Sequence, residues 1–398
     1  KYIFKKIKIC YYYCNRKVID MKKILSKLDK PLLVVTFIFF VFGLLMILSA
    51  SSMESYMRYN YSPYHYFVRQ ALFLIVGMFI FFFCIIFPTR NYKKLRLDKV
   101  IIGIIMLALI GLPFVGHSAK NAVSWYQIGP VMIQPSEFAK VAVILYLSIY
   151  YERNKDNLDN QWNIIKPIII ALIITALVVI QPDMGTAAII GVITIMMFYA
   201  VPIDNKYRGI FNKLFIGGVV VVVLVLITTG ASFLKDYQKE RFNFTYPCER
   251  YQEKTGYQVC NSLIALKNGS VNGQGLGKST QKYLYLPESY TDFIFPIIVE
   301  EWGLIVGIVI IFAYAFVLFR IIRIARRASN LRGSLICYGV FVYLLTHIMV
   351  NLFGVMAWFP LTGVPLPFLS YGGSYTICLM ISMGLVQRVA IESKKNTK

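Results

Sequence analysis

The sequence predicts an all-α fold, a polytopic membrane protein with about ten transmembrane helices and a large extracellular loop. Its 398 residues are 58% hydrophobic and its mean hydropathy is +0.62, whereas soluble domains are about 45–50% apolar. The apolar residues lie in uncharged stretches such as 34–50 and 219–229, and these belong to runs long enough to cross a bilayer. The basic residues lie between the runs, as they do in membrane proteins.

Ten apolar runs follow one another along the chain. Their predicted bounds are roughly 31–50, 67–87, 100–116, 136–151, 164–181, 184–202, 212–233, 293–319, 333–354 and 370–391. The fourth run is expected to cross although it contains Glu137 and Lys140. Only residues 181–185 separate the fifth run from the sixth. One helix of about 38 residues would be nearly twice as long as the hydrocarbon core is thick, so two spans are predicted.

The positive charge is unevenly placed. The net charge is +23, and basic clusters follow the second, sixth and eighth spans and occupy both termini. The clusters after those three spans contain Arg90, Lys93, Lys94, Arg96 and Lys99, then Lys206, Arg208 and Lys213, then Arg320, Arg323, Arg326, Arg327 and Arg332. With ten spans these clusters and both termini lie on one side, which the positive-inside rule makes cytoplasmic. The charge therefore indicates topology and contact with anionic lipid head groups, and no nucleic-acid partner is predicted.

The chain is expected to be one membrane domain with an N-terminal extension. Residues 1–20 lack an initial Met and are set apart from the membrane domain, 21–398, whose large outer loop spans about 234–292. Cys248 and Cys260 lie in that loop, on the oxidising side. Their separation allows a disulfide, and two free thiols remain the alternative.

Four polar segments lie on the outer face. They are 125–137, 181–185, 234–292 and 360–374. Each alone is typical of a turn or a helix cap. The glycine-rich stretch 272–279 lacks the spacing of a nucleotide-binding loop, so a nucleotide site is rejected. Four such segments on one face indicate that any chemistry faces outward.

Asp292 is the leading candidate within these segments. It ends the large loop and opens the eighth span, and Glu300 and Glu301 follow about two helical turns deeper. An ionisable side chain at the centre of a span costs about 2.5–3.5 kcal/mol on insertion scales. A polar end for the loop is the simpler explanation of Asp292. Three acidic side chains together ask for a further reason, so a functional site is the alternative, and the rest of the chain has to decide between the two.

Seven motifs carry a resemblance to a known family. They are Arg69-Gln70, Gln134–Lys140, Gln181–Thr186, Gly275–Gly277, Leu286–Glu288 with Thr291–Phe295, Glu300-Glu301 and Leu366–Ser374. Their order and topology resemble the SEDS family (shape, elongation, division and sporulation), the group that contains FtsW, RodA and SpoVE. The resemblance covers about 29–389. Ser124 departs from the pattern, because the family usually has Arg or Lys there.

The resemblance implies ten transmembrane helices and peptidoglycan glycosyltransferase activity. Such enzymes polymerise lipid II on the outer face of the bacterial cytoplasmic membrane, together with a class b penicillin-binding protein and, in division, with other division proteins. The family's essential carboxylate matches Asp292. Ser49–Ser52 and Glu300–Gly303 look more like the FtsW branch, which acts in septal synthesis, than the RodA branch. A RodA- or SpoVE-like role in elongation or sporulation is the alternative.

The residue chemistry allows roles to be assigned as expectations. Asp292 is the candidate general base for the acceptor hydroxyl. The candidate substrate contacts are Arg69, Lys140 and Lys278, which would meet the leaving diphosphate, and Ser370. The supporting residues are Glu137, Asp183, Glu300 and Glu301. A divalent cation, Mg²⁺ or Mn²⁺, could share the diphosphate charge, although the sequence shows no dedicated cage for it.

Two other functions compete with the transferase. Charged residues in spans and the broken fifth and sixth pair suit a lipid II flippase. Against it, the polar segments lie on one face, whereas alternating access needs polar groups on both. A scaffold that only recruits the penicillin-binding protein would leave the outer polar segments unexplained.

Overall fold

The computed structural model describes residues 24–119, 122–213, 216–217, 228, 240 and 243–394. The predicted extension, 1–20, and nearly all of the predicted seventh span, 212–233, lie outside the described residues. The total of ten spans therefore stays a prediction, whereas the all-α polytopic class is confirmed.

The described residues form the following elements. The helices are α1 (Lys30–Tyr59), α2 (His65–Ile86), α3 (Thr89–Lys94), α4 (Leu97–Val115), α5 (Pro135–Arg153), α6 (Gln161–Ile180), α7 (Met184–Ala200), α8 (Lys254–Gly269), α9 (Ile294–Arg326), α10 (Leu331–Val355) and α11 (Gly373–Ser393). The strands are β1 (His117–Ala119), β2 (Ala122–Ile128) and β3 (Val131–Ile133). They form a small antiparallel sheet in the order β1-β2-β3, which the sequence did not predict.

The membrane-crossing helices agree with nine of the predicted runs. Within the described residues, seven helices are long and apolar enough to cross a membrane, and α7 is a shorter apolar helix. Helix α5 fails that composition test because it carries charged residues. However, 16 of its 19 residues are buried, so neighbouring helices shield it from lipid and its charges need not face hydrocarbon.

One end of the bundle, here the basic end, carries the basic clusters. Three hydrogen bonds mark it: Asp29 N–H to Gln387 Oε1 (2.8 Å), Thr89 N–H to Glu392 Oε1 (2.9 Å) and Arg332 Nη1–H to Glu152 Oε1 (2.9 Å). The first of them joins the start of α1 to the last turns of α11, so both chain ends of the helical bundle lie here. The opposite end, here the site end, contains the N-termini of α5, α7, α9 and α11.

Helix α9 is broken near the site end, where the sequence predicts an uninterrupted span. Gly303 has φ 85° and ψ 168°, and a Cβ there would lie 2.2 Å from the Val271 carbonyl oxygen, so the close approach requires glycine. Three hydrogen bonds join the break to the loop: Gln274 N–H to Glu300 O (2.9 Å), Gly275 N–H to Glu301 O (2.9 Å) and Leu304 N–H to Ser270 O (3.0 Å). The glycine-rich loop therefore satisfies backbone groups that the broken helix leaves free.

The large loop contains its own ordered unit. Helix α8 lies within it and packs against α9, and the sequence analysis treats this stretch as polar loop only. Cys248 and Cys260 form a disulfide with a Cα–Cα distance of 4.9 Å, which joins the segment before α8 to its second turn. Of the two alternatives left open by the sequence, the structure has the disulfide.

Candidate active site

The loop between α10 and α11, residues 356–372, brings polar segments of the site end together. A Cβ at Gly363 would lie 3.1 Å from Asp292 Oδ2, and a Cβ at Gly185 would lie 3.2 Å from the carbonyl oxygen of Thr362. The backbone N–H of Tyr371 donates to the Tyr290 carbonyl at 2.9 Å. The 356–372 loop therefore touches the start of α7 and the segment before α9.

Two further contacts extend this convergence to α2 and α5. Gln70 in α2 accepts from Gly372 N–H at 3.2 Å and donates to Thr376 Oγ1 at 2.8 Å. The N–H of Gln134, just before α5, donates to Ser374 Oγ at 3.0 Å. Three of the outer polar segments of the sequence thus contact the fourth, 360–374, as a site would require.

Asp292 is half-buried and lies beside the exposed Gly363. Its carboxylate can approach the loop because Gly363 has φ +72° and no side chain. Its main-chain carbonyl accepts from Asn351 Nδ2 at 2.7 Å. The carboxylate therefore lies at the surface of the site end, and the hydrogen bond from α10 fixes the backbone that carries it.

Asn351 and His347 hold the loop from α10. Asn351 Nδ2 also donates to the Val364 carbonyl at 2.8 Å, and His347 Nδ1 lies 3.2 Å from the Pro365 carbonyl. The two side chains are four residues apart and so share a helix face. They fix residues 364 and 365 beside Asp292, and thereby the position of Gly363.

Lys140 occupies a different place from the one the sequence predicts. It is fully buried, and its Nζ lies 2.7 Å from Glu137 Oε1 and 3.1 Å from His347 Nε2. Lys140 can only donate, so His347 Nε2 accepts and its Nδ1–H donates to Pro365. In this structure Lys140 cannot touch a diphosphate at the surface. It supports the loop through His347, and Glu137 holds it as an ion pair.

The cluster around Lys140 contains unsatisfied polar atoms. Glu137 Oε2 and the hydroxyls of Tyr343 and Tyr375 are buried without a hydrogen-bond partner among the described residues. Lys140 Nζ lies 5.6 Å and 5.8 Å from the centres of these two rings. Buried polar atoms are normally hydrogen-bonded, so these three are exceptions among the described residues.

Asp183 caps α7 and ties it to α5. Its Oδ1 accepts from Thr186 N–H at 3.2 Å, and its Oδ2 accepts from Gln134 Nε2 at 3.0 Å and Ser136 Oγ at 3.1 Å. A helix N-cap is the simplest role for an Asp at this position of the sequence. The structure adds hydrogen bonds from Gln134 and Ser136, which join Asp183 to the start of α5.

Arg69 is half-buried at the start of α2 and donates to the Pro130 carbonyl in the β2–β3 turn. Beside it, Tyr290 packs its ring 4.5 Å from Tyr66 and 5.7 Å from Tyr371. Burial raises the pKa of the Tyr290 phenol, so this hydroxyl stays neutral at ordinary pH. The charge of Arg69 acts on Tyr371, whose ring packs against Tyr290, so Arg69 lies close to the segment that ends at Asp292.

Glu300 and Glu301 hold the glycine-rich loop rather than facing the surface. Glu300 is fully buried and accepts from Asn268 Nδ2 at 3.0 Å, from Thr280 Oγ1 at 2.9 Å and from Ser279 Oγ. Glu300 therefore holds the residues 268–281 beside the start of α9.

Glu301 forms a second buried contact, with a residue that the sequence analysis did not select. Its Oε1 accepts from Lys282 Nζ at 2.8 Å and from Ser49 Oγ at 2.7 Å. Both charged side chains are almost completely buried. This ion pair joins the end of the loop to α1 and to the broken part of α9.

Lys278 and Ser370 differ in access. Lys278 is exposed beside Gly275, so it can reach a ligand in solution. Ser370 is buried, and its Oγ accepts from Leu366 N–H at 2.8 Å. Ser370 therefore braces the loop, and the structure gives no support to direct substrate contact by this residue.

The sequence did not indicate Gly363, Asn351 or Lys282 as site residues, and Gln70 was noted only within a motif of the family resemblance. His347 was expected to be ordinary packing. The i, i+4 spacing of His347 and Asn351 on one helix was a signal that could have been used. A search of the described ranges finds no group of three or more His, Cys, Asp or Glu side chains that could hold a metal ion. Any need for a divalent cation stays a prediction.

Fold and site together define a class: a multi-pass membrane protein with a carboxylate-centred polar site at one end of its helical bundle. The chain belongs to the FtsW/RodA/SpoVE family, described as "Cell cycle protein", whose profile matches residues 30–395. This confirms the SEDS resemblance.

Two curated relatives cover nearly the whole chain. A protein of Bacillus subtilis (strain 168) named "Probable peptidoglycan glycosyltransferase FtsW" is 36% identical over 374 residues, which are 93% of this chain and 92% of that protein. A protein of Wigglesworthia glossinidia brevipalpis with the same name is 33% identical, over 92% of this chain and 94% of its own.

Two solved structures share the fold. One belongs to a study of how a peptidoglycan synthase complex coordinates polymerization and crosslinking, with a TM-score of 0.71 at 23% identity, covering 91% of this chain and 97% of that one. The other is the crystal structure of the rod shape determining protein RodA of Thermus thermophilus, with a TM-score of 0.66 at 22% identity and coverages of 93% and 98%.

Proposed function

We propose that this protein is a peptidoglycan glycosyltransferase that polymerises lipid II into glycan strands, with Asp292 as the general base. The relatives' names support the activity. The observation that carries the residue assignment is that three of the outer polar segments contact the fourth, 360–374, against which the Asp292 carboxylate lies. Because all the relatives reported bear the FtsW name, the proposed role is septal synthesis in cell division.

The chemistry that the site must perform is transfer of a saccharide from a lipid diphosphate. A base removes the proton of the acceptor hydroxyl, the oxygen attacks the anomeric carbon, and the diphosphate leaves with the bonding pair. General-base help is worth about 10²–10⁴-fold. Asp292 supplies the base. Arg69 and Lys278 supply positive charge for the leaving group, with or without a divalent cation.

Lys140, Glu137, Asp183, Glu300 and Glu301 are positioning residues in this proposal. Lys140 acts on the site through His347 and the 356–372 loop, because it is itself buried. Ser370 braces the same loop.

The proposed topology follows from the charge distribution. The basic end is cytoplasmic by the positive-inside rule, so both ends of the bundle's chain are cytoplasmic and the site end faces outward. A cross-linking penicillin-binding protein of class b is the proposed partner. The support for it is the fold shared with a chain of a complex that both polymerises and cross-links.

The decisive experiment gives purified protein labelled lipid II in detergent, with the partner's transpeptidase blocked, and separates the products by size. The Asp292→Asn variant should give no polymer while eluting and melting as the unmodified protein does. Glu249→Gln is the matched control, since it removes an exposed carboxylate from the same large loop.

Each competing function has its own outcome in this assay. Undiminished polymer from Asp292→Asn would refute the base assignment and leave the transferase intact. Lipid II scrambling in liposomes, without polymer from any variant, would identify a flippase. Neither polymer nor scrambling, in the presence of the partner, would identify a scaffold.

A further inference from the structure

A cavity at the basic end has not been used by any part of the proposed mechanism. It has a volume of about 510 Å³ and lies where α3, the end of α5 and the start of α10 meet. This volume falls within the range of about 300–1,000 Å³ typical of ligand pockets. Its lining is unusual for a small-molecule site, because most of its side chains are cationic.

The charge of the lining is strongly unbalanced. Five cationic side chains line the cavity, Arg90, Lys93, Lys94, Arg153 and Arg332, against the single carboxylate of Glu152. Asp98, which pairs with Arg153 at 2.9 Å, is the only further acidic partner of these five within the described residues. Three positive charges therefore remain uncompensated, and like charges gathered in one cavity repel each other unless an anion lies among them.

The floor of the cavity is built in a fixed geometry. Arg332 is almost completely buried and donates to Glu152 Oε1 at 2.9 Å and to Thr89 Oγ1 at 3.1 Å. Thr89 is in turn held by Glu392. The start of α3 is therefore anchored to three other helices, which places the next residues of α3 at the rim.

Arg90 and Lys94 form the open rim. Both are exposed, and neither forms an ion pair with any residue that the structure describes. They are four residues apart on α3 and so lie on one helix face. Two cations that form no ion pair with a described residue, beside the buried Arg332, make a site for a phosphate-bearing ligand.

The surroundings distinguish a lipid from a soluble phosphate. Ile86, at the end of α2, is 49% exposed, Leu95, directly after α3, is 61% exposed, and Val100 in α4 is 52% exposed. Exposed apolar side chains at the ends of membrane-crossing helices face acyl chains. The cavity thus has a cationic interior beside a surface for hydrocarbon, the combination that binds anionic lipid head groups between helices.

From this we infer that the cavity is a specific binding site for an anionic glycerophospholipid. The phosphate lies among Arg90, Lys94 and Arg332, and the acyl chains lie along Ile86 and Leu95. The lipid neutralises the excess charge and joins α3 to α5 and α10. This inference does not depend on the proposed transferase activity.

The test is native mass spectrometry of the detergent-purified full chain, titrated with phosphatidylglycerol or with phosphatidylcholine. The double variant Arg90→Ala/Lys94→Ala should bind phosphatidylglycerol about 30-fold more weakly, because each cation near the membrane surface contributes about a fivefold factor. Arg326→Ala/Arg327→Ala is the matched control. It removes two exposed arginines from the basic end that do not line the cavity, and it should bind nearly as the unmodified protein does.

Three further measurements make the result specific. Arg90→Lys/Lys94→Arg should bind phosphatidylglycerol as the unmodified protein does. Phosphatidylcholine should bind all the variants alike. Phosphatidylglycerol should raise the melting temperature of the control more than that of Arg90→Ala/Lys94→Ala. Equal weakening by the two alanine pairs would overturn the site in favour of a diffuse basic surface. Displacement of the lipid by glycerol phosphate at equal concentration would overturn the lipid in favour of a soluble anion.

Discussion

Replacement of Gly363 by alanine tests whether catalysis requires the Asp292 carboxylate at the position that the 356–372 loop gives it. A Cβ at this position would lie 3.1 Å from Asp292 Oδ2 and 3.9 Å from its Cγ. The 3.1 Å contact between Cβ and this oxygen is closer than ordinary van der Waals contact, so the carboxylate or the loop must move by a few tenths of an ångström. The φ of +72° adds a second cost, since an L-residue in the left-handed region loses about 1–2 kcal/mol.

The two costs can be separated with a matched variant. Gly129 has φ +59° and nothing within 4 Å of the Cβ position, so Gly129→Ala has the backbone cost alone. Both variants should lose about 1–2 kcal/mol of stability. Only Gly363→Ala should also lose turnover. A misplacement of about 1 Å can cost roughly 10²-fold in rate, so a shift of a few tenths should cost about tenfold.

The assay compares polymer formed per minute from lipid II with the melting temperature of each purified variant. The expected result is that both variants melt at similar temperatures while Gly363→Ala makes polymer about tenfold more slowly than Gly129→Ala. Equal turnover of the two, with intact folding, would refute the view that the loop positions Asp292 for catalysis.

Three other predictions concern the contacts that hold the site end. Asn351→Ala removes the hydrogen bonds to the carbonyls of Val364 and Asp292. It should lower the free energy of unfolding by about 1–3 kcal/mol and lower turnover more than substrate affinity. An unchanged turnover would contradict the positioning role of Asn351. Lys282→Met leaves Glu301 buried without its cation and should destabilise the protein by about 3–5 kcal/mol. Adding Glu301→Gln should recover most of that loss in thermal unfolding, and simple additivity would argue against the pair. Joint replacement of Cys248 and Cys260 by serine removes a disulfide with a sequence separation of 12. It should lower the stability of the loop by about 3 kcal/mol, which would be measured as faster proteolysis of α8. An unchanged rate of cleavage would contradict a stabilising role of the disulfide.

The helices of the bundle were accessible to sequence reasoning because the bilayer leaves few choices. A backbone in hydrocarbon must satisfy its own hydrogen bonds, so an apolar run of sufficient length becomes a helix. The separate α6 and α7, which end and begin at Ile180 and Met184, were predicted on length alone. The break at Gly303 was not, because its unpaired carbonyls are satisfied by residues 270–275 of a distant loop.

The site could be predicted from the sequence only in part. The motifs around Asp292 and Asp183 were recognised, and the structure places both at the site end. Lys140 was predicted to touch substrate because it is a cation close to an outer motif. It is instead fully buried, since α5 lies at the centre of the bundle, and the sequence of one helix does not say which neighbours cover its faces.

By itself, the sequence predicted the class of protein, which the family match confirms, and it also predicted the membrane topology and the central carboxylate, which stay predictions. These depend on local properties: the length of apolar runs, the side on which cations gather and the order of short motifs. The tertiary structure decided which residues reach the surface and which are buried and hold the surface residues in place. Gly363, Asn351 and His347 became part of the site only because α10 and the 356–372 loop pack beside Asp292. Such contacts depend on packing between residues far apart in the chain, and no local pattern encodes their distances.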